Sequence, residues 1–279
     1  MIGRFAPSPS GFMHLGHAST YLLAWLQVRA AGGRLLLRME DIDPQRSRAL
    51  YADAWREDLE WLGLHWDQEV PAQSSRVSVY LEALRQLQEA GLVFACHCLR
   101  KDMNDAVRAP HKNWGNYPGT CALMGFPITD SVALRLNFAP NALVLRRADG
   151  ACGYPLAVVV DDRDQGVSHV LRGQDLAESE ASQVFLHQAL GSIAPQCSHV
   201  PLWHGPDGRR LSKRDGAMSL RSLREKGWTS EDLMGYIAAA MGYLAHPEGC
   251  RPGDLLNAFR ALPVRKEPVS HAEVLPLWA

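Results

Sequence analysis

What the chain lacks narrows it first. It has almost no net charge: 29 Lys and Arg stand against 30 Asp and Glu in 279 residues, a formal balance of −1. A nucleic-acid partner would therefore have to be held by local patches and by shape, not by a global basic field. No apolar run approaches the ~20 residues of a membrane span, and no basic stretch followed by an apolar one opens the chain. The expectation is a cytosolic protein with no membrane partner. There is no internal repeat and no low-complexity tract. Cysteine is sparse, with Cys96, Cys98, Cys121, Cys152, Cys197 and Cys250 making six. In a cytosolic chain of this size scattered cysteines read as buried thiols and clustered ones as metal ligands, not as disulfides.

What is present begins with 47% apolar content, ample for a core and consistent with one large domain or two smaller ones. The stretch that organises the rest runs Arg4-Phe5-Ala6-Pro7-Ser8-Pro9-Ser10-Gly11-Phe12-Met13-His14-Leu15-Gly16-His17. It reads as a short strand from Ile2 to Ala6, a Pro- and Gly-rich turn, and the start of a long apolar helix from Leu15 to Ala31, ended by Gly32-Gly33. A helix N-terminus after such a turn is an anion site, because backbone N–H groups and the positive end of the helix dipole point into it. Gly16 would let a flat ring or a phosphate approach the backbone. His14 and His17 can donate hydrogen bonds to phosphate oxygens. Alone, H-x-G-H could equally be only a helix cap.

A strand over Arg34–Met39 follows, apolar enough for a buried parallel sheet. It ends in Glu40-Asp41-Ile42-Asp43-Pro44, where Asp43 and Pro44 fit an N-cap and first turn. The next helix would carry Tyr51, Trp55, Leu59 and Leu62, and Ser74 would cap another carrying Tyr80, Leu84 and Leu87. Strand and helix in alternation predict a doubly wound α/β fold, with the ligand beyond the carboxyl ends of the strands. Glu40 stands at such an end, as a solvated carboxylate or as the receiver of a substrate ammonium.

Residues 91–127 break the rhythm. Cys96-His97-Cys98 is followed by a polar stretch with Arg100, Lys101, Arg108 and Lys112, then Tyr117-Pro-Gly-Thr-Cys121. Three cysteines in a Gly- and Pro-rich region too small for a core suggest a tetrahedral Zn²⁺ holding the loops. Tyr117, His97 and His111 are each open as the fourth ligand. The basic residues either face RNA phosphates or are solvated.

Strands resume near Val132–Leu136 and Leu143–Leu145, and Asp149-Gly150 signals a hairpin turn. Two buried apolar segments come next: Gly153-Tyr154-Pro155 through Asp162, and Gly166 through Arg172-Gly173-Gln174-Asp175-Leu176. Arg172, after an apolar strand, needs a partner. A substrate carboxylate would suit its guanidinium, as would a nearby aspartate. A helix through Val184, Phe185 and Leu190 is expected, then a strand over His199–His204. The turn at Pro206-Asp207-Gly208 opens a basic loop, Arg209-Arg210-Leu211-Ser212-Lys213-Arg214-Asp215. Helices over Leu220–Lys226 and Ser230–Met241 follow.

H-x-G-H near the start paired with L-S-K-R near residue 210 resembles the two signature motifs of class I aminoacyl-tRNA synthetases. With Arg-Phe-Ala-Pro-Ser-Pro-Ser-Gly in front, the chain resembles their glutamyl subgroup over roughly residues 2–240. The loop departs from K-M-S-K-S: Arg210 and Leu211 replace its first two residues and Arg214 its last. The Arg-Gly of full glutamyl enzymes is usually followed by Glu-Asp-His, whereas Gln174-Asp175-Leu176 stands here and is similar to the glutamyl-Q branch. About 65 residues follow the basic loop, too few for a further domain of ordinary size, so no anticodon-binding domain is expected.

That resemblance implies a Rossmann-like doubly wound parallel sheet as catalytic domain, in halves over residues 1–90 and 128–216. It implies a zinc-binding insertion at 91–127 and a short helical C-terminal region at 217–279. It implies ATP with Mg²⁺ and L-glutamate as substrates, His14, His17 and Lys213 as catalytic residues, and Gly16 beside them on ATP. Glutamate would be bound by Arg4, Phe5, Ala6, Pro7, Ser8, Glu40, Tyr154 and Arg172. It favours Tyr117 as the fourth ligand, beside Cys96, Cys98 and Cys121, of one structural Zn²⁺. The acceptor it implies is the queuosine base in the anticodon loop of tRNA(Asp), served by a monomer. Three other functions compete: charging the 3′ end of tRNA(Glu), silent tRNA binding by a paralogue, and nucleotidyl transfer to a small acid without RNA.

Overall fold

The computed structural model describes residues 1–98, 119–138, 142–204, 219–262, 264 and 269–270. The chain forms two compact units, one of residues 1–72, 167–177 and 195–279, the other of residues 73–166 and 178–194.

The first unit opens with β1 (Ile2–Phe5), α1 (Leu15–Ala30), β2 (Arg34–Leu37), α2 (Ala49–Trp61) and the two-residue β3 (Gln68–Glu69). These strands pair in parallel in the order β1-β2-β3, with Arg4 opposite Leu36. Helix α1 buries Leu22, Leu23 and Leu26 completely. It ends where Gly32 takes φ 62°, a left-handed conformation that a side chain would strain. Strand β2 is buried from Leu35 to Leu37, as its unbroken apolar run predicted.

Helix α2 begins later than Asp43-Pro44 suggested. Asp43 instead accepts the Gln45 N–H on its own Oδ1 at 3.0 Å, closing a turn. Arg48 N–H donates to Pro9 O at 3.0 Å, and Arg48 is the N-cap. Asp and Pro suit both an N-cap and a turn, and the tie to Pro9, far off in sequence, decided between them.

The first unit also contains β7 (His169–Gly173) and β8 (Gln196–Val200), again parallel, with Arg172 opposite His199. Ser168 N–H donates to Ile2 O at 2.9 Å, and Ile2 N–H donates to Ser168 Oγ at 2.9 Å, setting the start of β7 beside β1. The strands therefore run β3, β2, β1, β7, β8. This is the 3-2-1-4-5 order of a Rossmann-like sheet, which reverses direction between β1 and β7. The unit finishes with β9 (Trp203–His204), α7 (Leu220–Glu225), α8 (Ser230–Ala240), α9 (Leu256–Ala261) and β10 (Val269–Ser270). One apolar core joins Phe5, Leu22, Leu37, Trp55, Trp203, Ile237 and Val269.

The second unit holds α3 (Val77–Glu89), β4 (Val93–Cys96), α4 (Thr120–Met124), β5 (Ala133–Leu136), β6 (Val144–Arg146), α5 (Tyr154–Asp164) and α6 (Glu180–Ala189). Strands β4, β5 and β6 form an antiparallel sheet. The apolar segment after Gly153 is thus a helix, while its successor is strand β7. Leu156 through Asp162 are buried all round, so no periodicity marks the helix. Asp161, fully buried, accepts from Arg76 Nε at 2.7 Å, Tyr80 Oη at 2.9 Å and Gln73 Nε2 at 3.1 Å, fastening α5 to α3 and the turn before it. Among the described residues no helix is long and apolar enough to cross a membrane.

Candidate functional site

The carboxyl ends of the parallel strands in the first unit gather the charged residues. Beyond the end of β1 and β2 the chains still run together: Arg38 N–H donates to Phe5 O at 2.9 Å and Glu40 N–H to Pro7 O at 2.8 Å. The Ala6-Pro7-Ser8 turn is thereby laid alongside Arg38 to Glu40. Arg4, Arg38 and Glu40 are all buried, and Arg38 Nη2 lies 3.1 Å from Glu40 Oε1. A solvated Glu40 is therefore not what the fold builds. A buried carboxylate and guanidiniums are kept only where partners satisfy them. Phe5 turns its ring into the core, edge-on to Tyr21 at 5.0 Å, while its carbonyl pairs with Arg38 N–H. Ser8 is exposed.

Arg172 closes the same edge from β7. It is buried, and its Nε donates to His199 Nε2 at 3.2 Å across the parallel register. Arginine can only donate, so this imidazole accepts at Nε2 and carries its proton on Nδ1. Nothing in the sequence near His199 pointed to this role, because strand register alone brings it to Arg172. Tyr154 opens α5 in the second unit, and its part in amino-acid binding rests on the resemblance.

The H-x-G-H segment is both a cap and a platform. His14 is the N-cap of α1, and its N–H donates to His17 Nδ1 at 3.3 Å. The two imidazoles stack with centroids 3.6 Å apart. His17 also meets Trp55 at 4.9 Å, and Trp55 Nε1 donates to Gly11 O at 3.0 Å, so an aromatic wall fixes the turn. A Cβ on Gly16 would stand 3.3 Å from His14 Cε1 and 3.9 Å from Trp203 Cδ1. The glycine keeps that space open.

Lys213 and the rest of the basic loop, residues 205–218, lie outside the described residues. Both flanks are described, and both stand on the histidine motif. Ahead of the loop, Trp203 in β9 reaches Gly16. Behind it, Leu220 N–H donates to Met13 O at 2.9 Å and Ser219 bridges to His14. The flanks of the basic loop and the histidine motif, about 200 residues apart in sequence, thus meet at one edge.

In the second unit Cys96 ends β4, Cys98 follows it, and Cys121 sits on α4. Their sulfurs all lie within 4.8 Å of one another, with Cys98 Sγ 3.5 Å from Cys121 Sγ. Zinc–sulfur bonds of about 2.3 Å in a tetrahedron place sulfurs about 3.8 Å apart, so the three donors fit a zinc ion. Burial, reinforced by the neighbouring thiols, pushes the Cys98 thiol up to about 12. A divalent cation would reverse that and draw off the protons. His97 is exposed and set edge-on to Phe126 at 4.8 Å, outside the sulfur cluster. Tyr117, His111, Arg100, Lys101, Arg108 and Lys112 lie outside the described residues.

A Rossmann-like parallel sheet with H-x-G-H at its first helix, its strand ends charged, is the build of a class I tRNA synthetase. The family model described as the catalytic domain of class I tRNA synthetases (E and Q) matches residues 1–122 and 122–250. A glutamyl-Q tRNA(Asp) synthetase of Symbiobacterium thermophilum is 41% identical over 96% of this chain and 95% of its own length. One from Deinococcus radiodurans is 41% identical over 99% and 95%. A crystal structure of a glutamate tRNA ligase from Elizabethkingia meningosepticum, in complex with its amino acid, shares the fold. Its TM-score is 0.80 at 23% identity, covering 97% of this chain and 66% of that one. The chain belongs to the glutamyl-Q tRNA(Asp) synthetase family of class I synthetases.

Proposed function

We propose that this chain joins L-glutamate to ATP and passes the activated glutamyl group to the queuosine base at the first anticodon position of tRNA(Asp). The observation that supports the reading is the meeting of Gly16 with Trp203 and of Met13 with Leu220, described residues that flank the segment carrying L-S-K-R, at the H-x-G-H turn.

In the first step a carboxylate oxygen of glutamate attacks the α-phosphorus of ATP. The bond to the bridging oxygen breaks, and pyrophosphate leaves. Glu40 receives the substrate ammonium, Arg4 and Arg172 its carboxylates, and Ser8 a further polar contact. His14, His17 and Lys213 hold the growing negative charge on phosphate oxygens, and the work is positioning and electrostatics. Mg²⁺ bound with ATP supplies further charge neutralisation. A pocket built to pair a guanidinium with a carboxylate rejects glutamine, which leaves that cation unmatched. In the second step a hydroxyl of the queuosine cyclopentenediol attacks the acyl carbon, AMP leaves, and an ester remains. One structural Zn²⁺ on Cys96, Cys98, Cys121 and Tyr117 would hold the 91–127 insertion within the catalytic domain.

The test supplies labelled glutamate, ATP and total tRNA from cells with or without queuosine. Label is expected only on queuosine-containing tRNA(Asp), released by mild alkali. Label on the 3′ end of tRNA(Glu) would replace this reading with an ordinary charging enzyme. Absence of glutamate-dependent pyrophosphate exchange would leave a silent tRNA-binding relative.

A further inference from the structure

Arg135 is a charged side chain that the function above does not use. It stands half-buried in β5, the middle strand of the β4-β5-β6 sheet. In the antiparallel register Arg135 lies opposite Phe94, and Cys96 lies opposite Ala133. Directly opposed residues share a face of a sheet, and so do residues two apart on one strand. Arg135 and Cys96 are therefore diagonal neighbours on one face, a separation of about 7–8 Å that a long side chain spans. The structure shows it spanned: Arg135 Nε donates to Cys96 Sγ at 3.2 Å. Nη1 of the same guanidinium donates to Ala142 O at 2.8 Å, so the planar group is held at two points.

Cys96 is buried in an apolar cluster with Phe94, Cys121 and Ala142. A cation set against such a cluster costs desolvation unless it meets negative charge. A neutral thiol is a weak hydrogen-bond partner, whereas an ionised one takes a charge-assisted bond about twice as strong. The sulfurs of Cys96, Cys98 and Cys121, all within 4.8 Å of one another, become thiolates when they bind a metal. Three thiolates outweigh the charge of one Zn²⁺, and a phenolate as fourth ligand adds to the excess. The guanidinium sets a permanent positive charge against it.

We infer that Arg135 is the outer partner of the proposed zinc site: its Nε–H donates to the Cys96 sulfur while that sulfur holds the metal, and its charge offsets the excess of the thiolates. The inference rests on the zinc reading of the cysteine cluster. It adds a positioning residue that touches no metal and sets how tightly the metal is held, as outer partners of metal ligands do.

The experiment withdraws zinc from the loaded full chain with a chelating dye, in the wild type, Arg135→Met and Arg135→Lys. It also records the sulfur-to-cobalt charge-transfer band after cobalt(II) takes the place of zinc. Arg135→Met should hold zinc about tenfold more weakly or worse, the usual cost of losing such a partner. Its cobalt band should move to longer wavelength, because the N–H bond and the positive charge lower the energy of the sulfur electrons in the wild type. Arg135→Lys, which keeps the charge, should hold zinc within about threefold of the wild type. Unchanged affinity in Arg135→Met overturns the inference and leaves the zinc reading standing. Weaker binding with an unmoved band marks an arginine that only ties β5 to Ala142, and overturns it too, as does a lysine variant no tighter than the methionine one. A wild-type chain that takes up neither zinc nor cobalt removes the zinc reading and the inference with it. Should Arg135→Met fail to fold, Arg135→Gln removes the charge and is read by the same two measurements.

Discussion

Arg172 shows how little a residue's type says until its neighbours are known. The sequence left it two partners, a substrate carboxylate or an aspartate, and the fold set His199 at its Nε. The histidine holds the guanidinium by its Nε. Arg172→Lys keeps a charge but loses the planar fork and the Nε bond. The KM for glutamate in pyrophosphate exchange should rise at least tenfold, by the worth of a charge-assisted bond. Glutamine should gain nothing from the change. Glu40 is the opposite case. Its place after an apolar strand was readable, yet its burial against Arg38 depended on Pro7 drawing the chain alongside β1.

At the scale of elements, the strands and long helices followed from local pattern. Helix α1, strand β2, and helices α7 and α8 lie within a residue or two of their apolar periods and breakers. The late start of α2 at Ala49 and the helical form of the apolar segment in α5 share a cause. In each, the short-range signal suits two conformations, and a contact distant in sequence selects one. The packing of α2 beside α7 carries its own prediction. Asp58 on α2 is buried at the foot of a cleft lined by Phe12, Asp53, Glu57, Arg221, Arg224 and Glu225, with Arg224 Nη1 3.5 Å from its Oδ1. Burial pushes its carboxyl up to about 6, only partly offset by Arg224. The folded state then holds a proton that the unfolded chain has already released above about pH 4. Stability from this group is full below that pH and falls as pH rises to about 6. Asp58→Asn removes this slope. The melting temperature of the variant minus that of the wild type should climb between pH 4 and 6 and level off above, and a flat difference would remove Asp58 as the cause.

For the whole molecule, the proposed zinc at the cysteine cluster would link metal binding to folding. Three thiols within 4.8 Å of one another make a donor set that fits a cation. Metal analysis of the purified chain should find one zinc per molecule. Cys98→Ser should lose it and lower the melting temperature, whereas Cys250→Ser, on a sulfur outside the cluster, should keep the metal.

The sequence by itself determined the kind of chemistry. A Gly-rich turn before a helix, two histidines, a distant basic loop and a clustered set of cysteines are local patterns, and local patterns survive in one dimension. Only the tertiary structure decided which charges are paired, that His199 supports Arg172, and that Trp203 comes to Gly16. Strand register and packing set these, and both join residues whose separation along the chain carries no trace of their closeness in space.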